Sequence, residues 1–278
     1  MLSGKQLEQL TSAYNEALAA EKAGNREKAA ALYRTCLEID PADTCGASVR
    51  LASMGLGEAP AKAPDAYVAT LFDQHAEVFD DILTGDLGYA VPMQLADILH
   101  RDPDRHFARM LDLGCGTGLS GMTLGDLCDH ATGVDISENM IDMADERAVY
   151  DALFVNEAVH FLEEWEKADG DDYAPFDLIV ATDVLPYIGA LEPLFAGVAA
   201  NTSPGACFAF SAETLSDEDF GDKPWRVTPN HRFAHTATYL KALLEEHSFG
   251  RITSFDPITV RSERGAPIPG WLVVAWKN

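Results

Sequence analysis

Residues 110–120, Met-Leu-Asp-Leu-Gly-Cys-Gly-Thr-Gly-Leu-Ser, constrain this chain more than any other stretch. An apolar run reads as a strand and ends on Asp112. Gly114, Gly116 and Gly118 follow at alternate positions, and the apolar periodicity after them reads as a helix start. A strand that turns through glycines into a helix lets a ligand approach backbone N–H groups, because glycine has no Cβ and tolerates positive φ. From residue 108 onward strand and helix patterns alternate, which specifies an α/β domain with a mostly parallel sheet. Seven strands are expected, near 108–113, 131–135, 152–156, 176–181, 206–211, 252–260 and 270–276. The last two flank a loop with Gly265, Pro267 and Pro269 and read as a closing antiparallel hairpin.

The letters Gly116-Thr-Gly-Leu-Ser-Gly121 also spell the dinucleotide fingerprint G-x-G-x-x-G. That motif needs its first glycine at the strand end, whereas Gly116 lies inside the turn, and it leaves Asp112 without a task. The set Asp112, Gly114, Gly116, Gly118 instead meets D/E-x-G-x-G-x-G and resembles the cofactor loop of the class I S-adenosylmethionine-dependent methyltransferases. The resemblance extends over about residues 65–278 and implies a Rossmann-like seven-stranded, mostly parallel sheet with a C-terminal antiparallel hairpin. It implies S-adenosylmethionine as the cofactor. Ligands in such sheets sit outside the carboxyl ends of the strands, where the strand order reverses.

The remaining motifs fall at those ends. Asp135 closes the second expected strand, 17 residues past Gly118; a carboxylate there accepts ribose hydroxyls. By the resemblance it is the ribose ligand, with Ile136 and Met140 beside the adenine; both are also ordinary core residue types. Glu157 follows the third strand and fits the acid that accepts from the adenine amino group, the Ala158 N–H meeting a ring nitrogen; a solvated surface Glu is the competing reading. Asp112, Cys115 and the Gly114 backbone are placed at the methionine end. Asp183 closes the fourth strand, and Thr182 to Tyr187 is the expected floor of the reaction chamber.

Methyl transfer from a sulfonium is an in-line displacement, so the protein mainly aligns the reactants and excludes water. A base is needed only for an acceptor that must lose a proton; the candidates are His75, His235, Asp183 and Tyr187. Residues 65–101 read as two helices flanking Thr84-Gly85-Asp86, the first carrying Tyr67, Phe72, His75 and Phe79 at helical spacing. It resembles the lid helix that precedes the core in small-molecule methyltransferases, which makes Tyr67 and Phe72 candidate cofactor contacts and Phe79 a candidate acceptor contact. Basic residues gather at 223–235; Arg226 and Arg232 are candidate partners for a substrate anion, or counterions for Asp217, Glu218, Asp219 and Asp222 beside them.

Upstream, residues 6–55 carry two helical patterns broken at Ala23-Gly24-Asn25 and ended at Asp40-Pro41, with a third helical piece near 42–54. Their spacing is similar to one tetratricopeptide repeat, and the combination resembles a bacterial methyltransferase group bearing such repeats. A lone repeat reads as a helical cap over 1–58, with docking of a protein partner or self-association as the alternative. Residues 55–65 have linker composition, so the domains expected are 1–58 and 65–278, the latter a lid (65–101) and a core (108–278). The net charge of −25, from 45 acidic and 20 basic residues, opposes binding to phosphate backbones and anionic membranes. Five cysteines without metal-ligand spacing fit a reducing compartment and no metal site. The N-terminus lacks a secretory pattern, and no apolar run spans a bilayer. The chain thus reads as a cytoplasmic methyltransferase acting on a small-molecule acceptor, without nucleic acid or membrane as partner. The alternative is a cofactor-binding assembly or regulatory factor whose N-terminal helices dock a protein.

Overall fold

The computed structural model describes residues 2–74, 76, 80, 85, 87–165, 174–263 and 265–278. Five parallel strands form the centre of the sheet: β1 (Phe107–Leu113), β2 (Cys128–Asp135), β3 (Ala152–Val155), β4 (Phe176–Ala181) and β5 (Thr202–Glu213), in the order β3-β2-β1-β4-β5. Two short strands, β6 (Trp225–Val227) and β7 (Phe233–His235), form an antiparallel pair that touches the end of β5 at Glu213. β8 (Arg251–Glu263) and β9 (Ala266–Trp276) form the hairpin, and β9 lies antiparallel against β5 from Cys207 to Glu213.

Parallel strands are covered on both faces, so consecutive residues go to opposite apolar layers. Leu111 and Leu113 join Phe195, Phe208 and Phe210 in one layer, and Met110 joins Leu178, Val180, Leu95 and Leu124 in the other. Helices α8 (Ala158–Trp165), α9 (Glu192–Ala200) and α11 (Ala237–Glu246) supply the first layer; α5 (Val91–Leu99) and α6 (Leu119–Leu124) supply the second. α7 (Glu138–Arg147) follows β2, and the single-turn α10 (Asp217–Phe220) follows β5. The order reverses between β1 and β4, and Asp112, Asp135 and Asp183 all stand at or just past that edge.

The described residues hold nine strands rather than seven. β6 and β7 lie in the stretch read as a connection; three residues each carry no alternating pattern, and their pairing is fixed by β5. The hairpin is also longer than expected, with Pro267 and Pro269 inside β9. They precede Gly270, where pairing with β5 begins, so no ladder bond to β5 needs their missing N–H.

The N-terminal helices α1 (Gly4–Lys22), α2 (Arg26–Ile39) and α3 (Ala47–Ser53) share a small apolar core around Ala17, Ala29 and Tyr33. A capping box between Ser3 and Gln6 starts α1, and Asn25 caps α2. α3 starts at Ala47, because the Asp43 carboxylate takes the N–H groups of Ala47 (2.6 Å) and Ser48 (3.0 Å) and holds 42–46 as a turn. The segment read as a linker is strapped to the core at its end: Gly189 and Ala190 donate to Ala61 O (2.8 Å each), and Ala63 N donates to Tyr187 O (2.8 Å). α4 (Asp65–Asp73) continues from it; His75 and Phe79, on the same expected helix, lie outside the described residues. No described helix is long and apolar enough to cross a membrane.

Candidate functional site

A pocket of about 920 Å³, its open mouth included, lies at the carboxyl ends of β1 to β4, within the size range of small-molecule sites. Its wall includes Gly114, Cys115 and Gly116 from the glycine turn, Asp135 and Ile136 after β2, Glu157 and Ala158 after β3, and Asp183 and Tyr187 after β4. Phe72 and Val68 of α4 close one side, and Phe72 meets the Tyr187 ring edge-on at 5.3 Å. α4 is fastened there. The Ser137 hydroxyl donates to Asp73 Oδ1 (2.6 Å) and Asn139 Nδ2 donates to Asp73 O (3.0 Å); beyond α4, the Thr117 hydroxyl donates to Asp80 Oδ1 (2.6 Å).

The glycine turn is tight for a steric reason. Gly114 has φ +65, and a Cβ on it would stand 2.4 Å from Val184 Cγ2. Gly116 N donates to Asp135 Oδ2 and Ser137 N to Asp135 Oδ1, both at 2.9 Å, which aims the carboxylate and leaves each oxygen further lone pairs. Burial pushes the Asp135 carboxyl up to about 6 against those N–H bonds. Asp112 sits behind the turn with none of its surface exposed. Its Oδ2 accepts from the Tyr150 hydroxyl (2.6 Å), while Oδ1 has no hydrogen-bond partner. Burial raises its carboxyl to about 7. Asp135 stands on the wall with acceptor capacity to spare, which fits the ribose hydroxyls of S-adenosylmethionine; Asp112, expected at the methionine end, is not on the wall and braces the glycine turn from behind.

Glu157 is on the wall, yet it also acts as a cap: Oε2 accepts from His160 N (2.9 Å) at the start of α8, and Oε1 pairs with Lys62 at 3.6 Å. Gly118 is the N-cap of α6, and Met140 is wholly buried beneath the site; neither forms the wall. Tyr67 is turned away from the pocket toward Gly46 of the N-terminal region.

Around Asp183 and Tyr187 the sequence reading needs correction. Arg232 is not free for a substrate anion. Its Nη1 donates to Asp183 Oδ2 (3.1 Å) and Glu213 Oε1 (3.4 Å), and its Nη2 donates to the Tyr187 hydroxyl. Arg226 donates from Nε to Phe220 O (2.8 Å), off the wall. Arg232 and Arg226 are therefore taken by Asp183, Glu213 and a carbonyl, and neither forms an ion pair with the described acids of the 217–222 run. His235 is also off the wall. Its ring is fully buried, with Nε2 at 2.9 Å from Ile188 O and 3.2 Å from Gly189 O. Carbonyls only accept, so Nε2 carries the proton; burial lowers the imidazole to about 4, and the neutral ring braces the 188–189 loop.

Two participants escaped sequence reasoning. Tyr150 supports Asp112 from 38 residues away, and Arg261 enters from β8 with its side chain 1% exposed. Arg261 Nη2 lies 2.7 Å from Glu213 and 2.6 Å from Glu263, and its Nη1 lies 3.3 Å from Asp183 Oδ1. The one available signal was an arginine beside Val260 in an otherwise strand-like run. Asp183 itself has φ +61, a left-handed conformation for a non-glycine residue, with its N–H held by the Ser211 hydroxyl at 2.9 Å.

A family model described as a methyltransferase domain matches residues 88–252. Over 102 residues the chain is 32% identical to a ubiquinone biosynthesis O-methyltransferase of Coxiella burnetii, covering 37% of this chain and 42% of that protein. The chain therefore spans about two fifths of the length of these curated relatives. Over 48 residues it is 46% identical to an 18S rRNA (guanine-N(7))-methyltransferase of Arabidopsis thaliana, covering 17% of each. Its fold is similar to magnesium protoporphyrin IX methyltransferase of Synechocystis solved with S-adenosylmethionine: TM-score 0.56, 14% identity, 77% of this chain and 97% of that one. The family model takes in more than half of the chain, and the sheet order and glycine turn agree with it: the chain belongs to the class I S-adenosylmethionine-dependent methyltransferases.

Proposed function

We propose that this chain transfers a methyl group from S-adenosylmethionine to a small molecule without a carboxylate or phosphate, held between Asp183, Tyr187 and the α4 side of the pocket. The observation that carries the cofactor half is the desolvated Asp135 carboxylate on the open wall, beside a glycine turn in which Gly114 leaves no room for a Cβ. In this reading the turn's backbone, braced from behind by Asp112, holds the methionine end, Asp135 the ribose, and Glu157, Ala158 and Ile136 the adenine. When bound, S-adenosylmethionine supplies a methyl group on a positively charged sulfur.

The acceptor half follows from charge. Lys62 is the one cation among the described wall residues, and it is paired with Asp65 at 2.8 Å. With Arg232 committed to Asp183 and Glu213, no described cation on the wall is spare for a carboxylate or phosphate. Phe72, Val68, Tyr89 and Ile188 suit an apolar or aromatic body. The Tyr187 oxygen accepts from Arg232, which leaves its own proton to donate into the pocket. Asp183 offers remaining lone pairs to a donor on the acceptor. These groups align; no proton need be abstracted unless the acceptor requires it.

The test has two arms. Calorimetry with S-adenosylhomocysteine on wild type and Asp135→Ala checks the cofactor half; binding by the wild type that is lost in the variant supports it. Labelled methyl transfer into a protein-free metabolite extract, against transfer into total RNA, checks the acceptor half. Label appearing in RNA alone would refute the small-molecule reading.

A further inference from the structure

We propose that the N-terminal helices α1 to α3 complete the acceptor side of the pocket by holding the turn between β6 and β7, which delivers Arg232 to Asp183 and Tyr187. The proposal rests on the reading of this pocket as the reaction site. The helical residues it invokes, Glu21, Gly46, Val49 and Arg50, lie outside the matched methyltransferase domain, 88–252, whereas His231, Arg232, Asp183 and Tyr187 lie within it.

Three contacts carry it. First, Val49 of α3 is fully buried in one apolar cluster with Ala63, Val68 and Phe233, against which Phe72 and Tyr187 of the pocket wall also pack. Second, Gly46 at the start of α3 has φ +68, and a Cβ there would stand 2.8 Å from the Tyr67 ring at the base of α4. The helical region is thus seated on the root of the segment that closes the pocket. Third, an ion cluster crosses from the helices to the turn. Glu21 Oε1 of α1 lies 3.3 Å from His231 Nε2, Arg50 Nη1 of α3 lies 3.5 Å from the same nitrogen, and Glu21 and Arg50 pair at 3.1 Å. The Tyr33 hydroxyl donates to Glu21 Oε2 and anchors the cluster in the helical core.

His231 and Arg232 are neighbours with different partners. His231 has φ +61, and the turn closes through His231 N to Thr228 O (3.0 Å) and Thr228 N to Arg232 O (2.7 Å). With the imidazole held by the helices, Arg232 goes to Asp183, Glu213 and Tyr187. Glu21, Arg50 and His231 are positioning residues: they act on the pocket through Arg232. A solvated cap would need neither the buried Val49 nor an ion cluster aimed at this turn.

The test uses the full chain saturated with S-adenosylhomocysteine and reads amide hydrogen exchange, with calorimetry in parallel. Glu21→Ala and His231→Asn are the disrupting variants; asparagine tolerates the left-handed backbone at 231. Exchange at 183–190 and 225–236 is expected to rise about fivefold or more, with 110–118 and the S-adenosylhomocysteine Kd within about twofold of wild type. Glu21→Gln, which keeps an acceptor for Tyr33 and a polar contact for His231, is expected to restore most of the protection at 183–190. Faster exchange confined to 4–53 and 228–232, with 183–190 at the wild-type rate, would overturn the proposal. So would equal loss at 110–118, which signals general destabilisation. A wild type that fails to bind S-adenosylhomocysteine defeats the cofactor reading instead, and the same exchange comparison without ligand still reports the coupling.

Discussion

The Arg261 cluster allows a prediction with a worked magnitude. Arg261 is 1% exposed and meets three carboxylates, of which Glu213 is 3%, Asp183 13% and Glu263 27% exposed. The Glu263 contact is partly screened and contributes little, so the consequence of Arg261→Met falls mainly on Glu213 and then Asp183. Removing one member of a buried ion pair typically costs about 3–5 kcal/mol, because the charge left behind stays desolvated. Arg232 still reaches both carboxylates, so the lower end of that range applies; at roughly 2–4 °C per kcal/mol, Tm should fall by about 6–12 °C. The pH dependence has a definite sign. Burial already raises the Glu213 carboxyl above 4.5 against the pull of Arg232 and Arg261, and losing Arg261 raises it further. A carboxylate whose folded pKa exceeds its unfolded value costs stability above the folded pKa and nothing below the unfolded one. The deficit is therefore largest near pH 8 and shrinks as pH falls toward 4.5. Urea unfolding of wild type, Arg261→Met, Glu213→Gln and the double variant at pH 8 and 5 measures it. Glu213→Gln should relieve Arg261→Met, with a coupling of about 1.5 kcal/mol or more at pH 8. Single effects that add within about 0.5 kcal/mol, or a deficit that grows on acidification, would refute the reasoning.

Three further expectations follow from the site. With the Asp135 carboxyl near 6 in the free protein, S-adenosylhomocysteine affinity should weaken as pH falls from 7.5 to 5, approaching about tenfold per unit below 6; calorimetry on Asp135→Asn should show weaker binding and a shallower profile. Gly114→Ala places a Cβ 2.4 Å from Val184 at positive φ, so it should cost about 1–3 kcal/mol in urea unfolding and remove the thermal shift given by S-adenosylhomocysteine; Gly114→Ala/Val184→Ala should recover part of the stability. His235→Asn should lower stability by about 1–3 kcal/mol through the lost brace on Ile188 and Gly189, while the pH profile of methyl transfer between 6 and 8 keeps its shape, because the imidazole is neutral throughout that range.

The strands of the central sheet were legible because burial on both faces leaves apolar runs, each broken by an acid where the edge opens: Asp112, Asp135 and Asp183. The pocket wall formed by the glycine turn, Asp135 and Glu157 was legible for the same reason, since these residues follow those strands within a few positions. The surroundings of Asp183 and Tyr187 were not. Arg232 meets Asp183 across 49 residues of chain, and Arg261 meets it across 78; no local pattern encodes either pairing. Arg232 is embedded in a basic run that spacing alone could assign to a ligand or to nearby acids. Arg232 lies in the turn between two three-residue strands, β6 and β7, which are too short to show an alternating pattern. Glu157 shows a different difficulty: an acid after a strand and three residues before a helical N–H serves equally as cap or ligand, and here the cap is made.

The position of β9 has a consequence for how the molecule is made. β5 is complete at Glu213, yet its antiparallel neighbour begins at Ala266, about 50 residues later. At roughly 5–20 residues per second, a ribosome leaves the β5 edge without that neighbour for about 3–10 seconds. During that interval Phe208 and Phe210 sit on a strand whose edge is open to other chains. The sheet's weak moment thus falls after the glycine turn and its carboxylates already exist in the nascent chain. Slowing translation between 214 and 265 should lengthen this window and raise the aggregated fraction, whereas slowing it upstream of β5 should not.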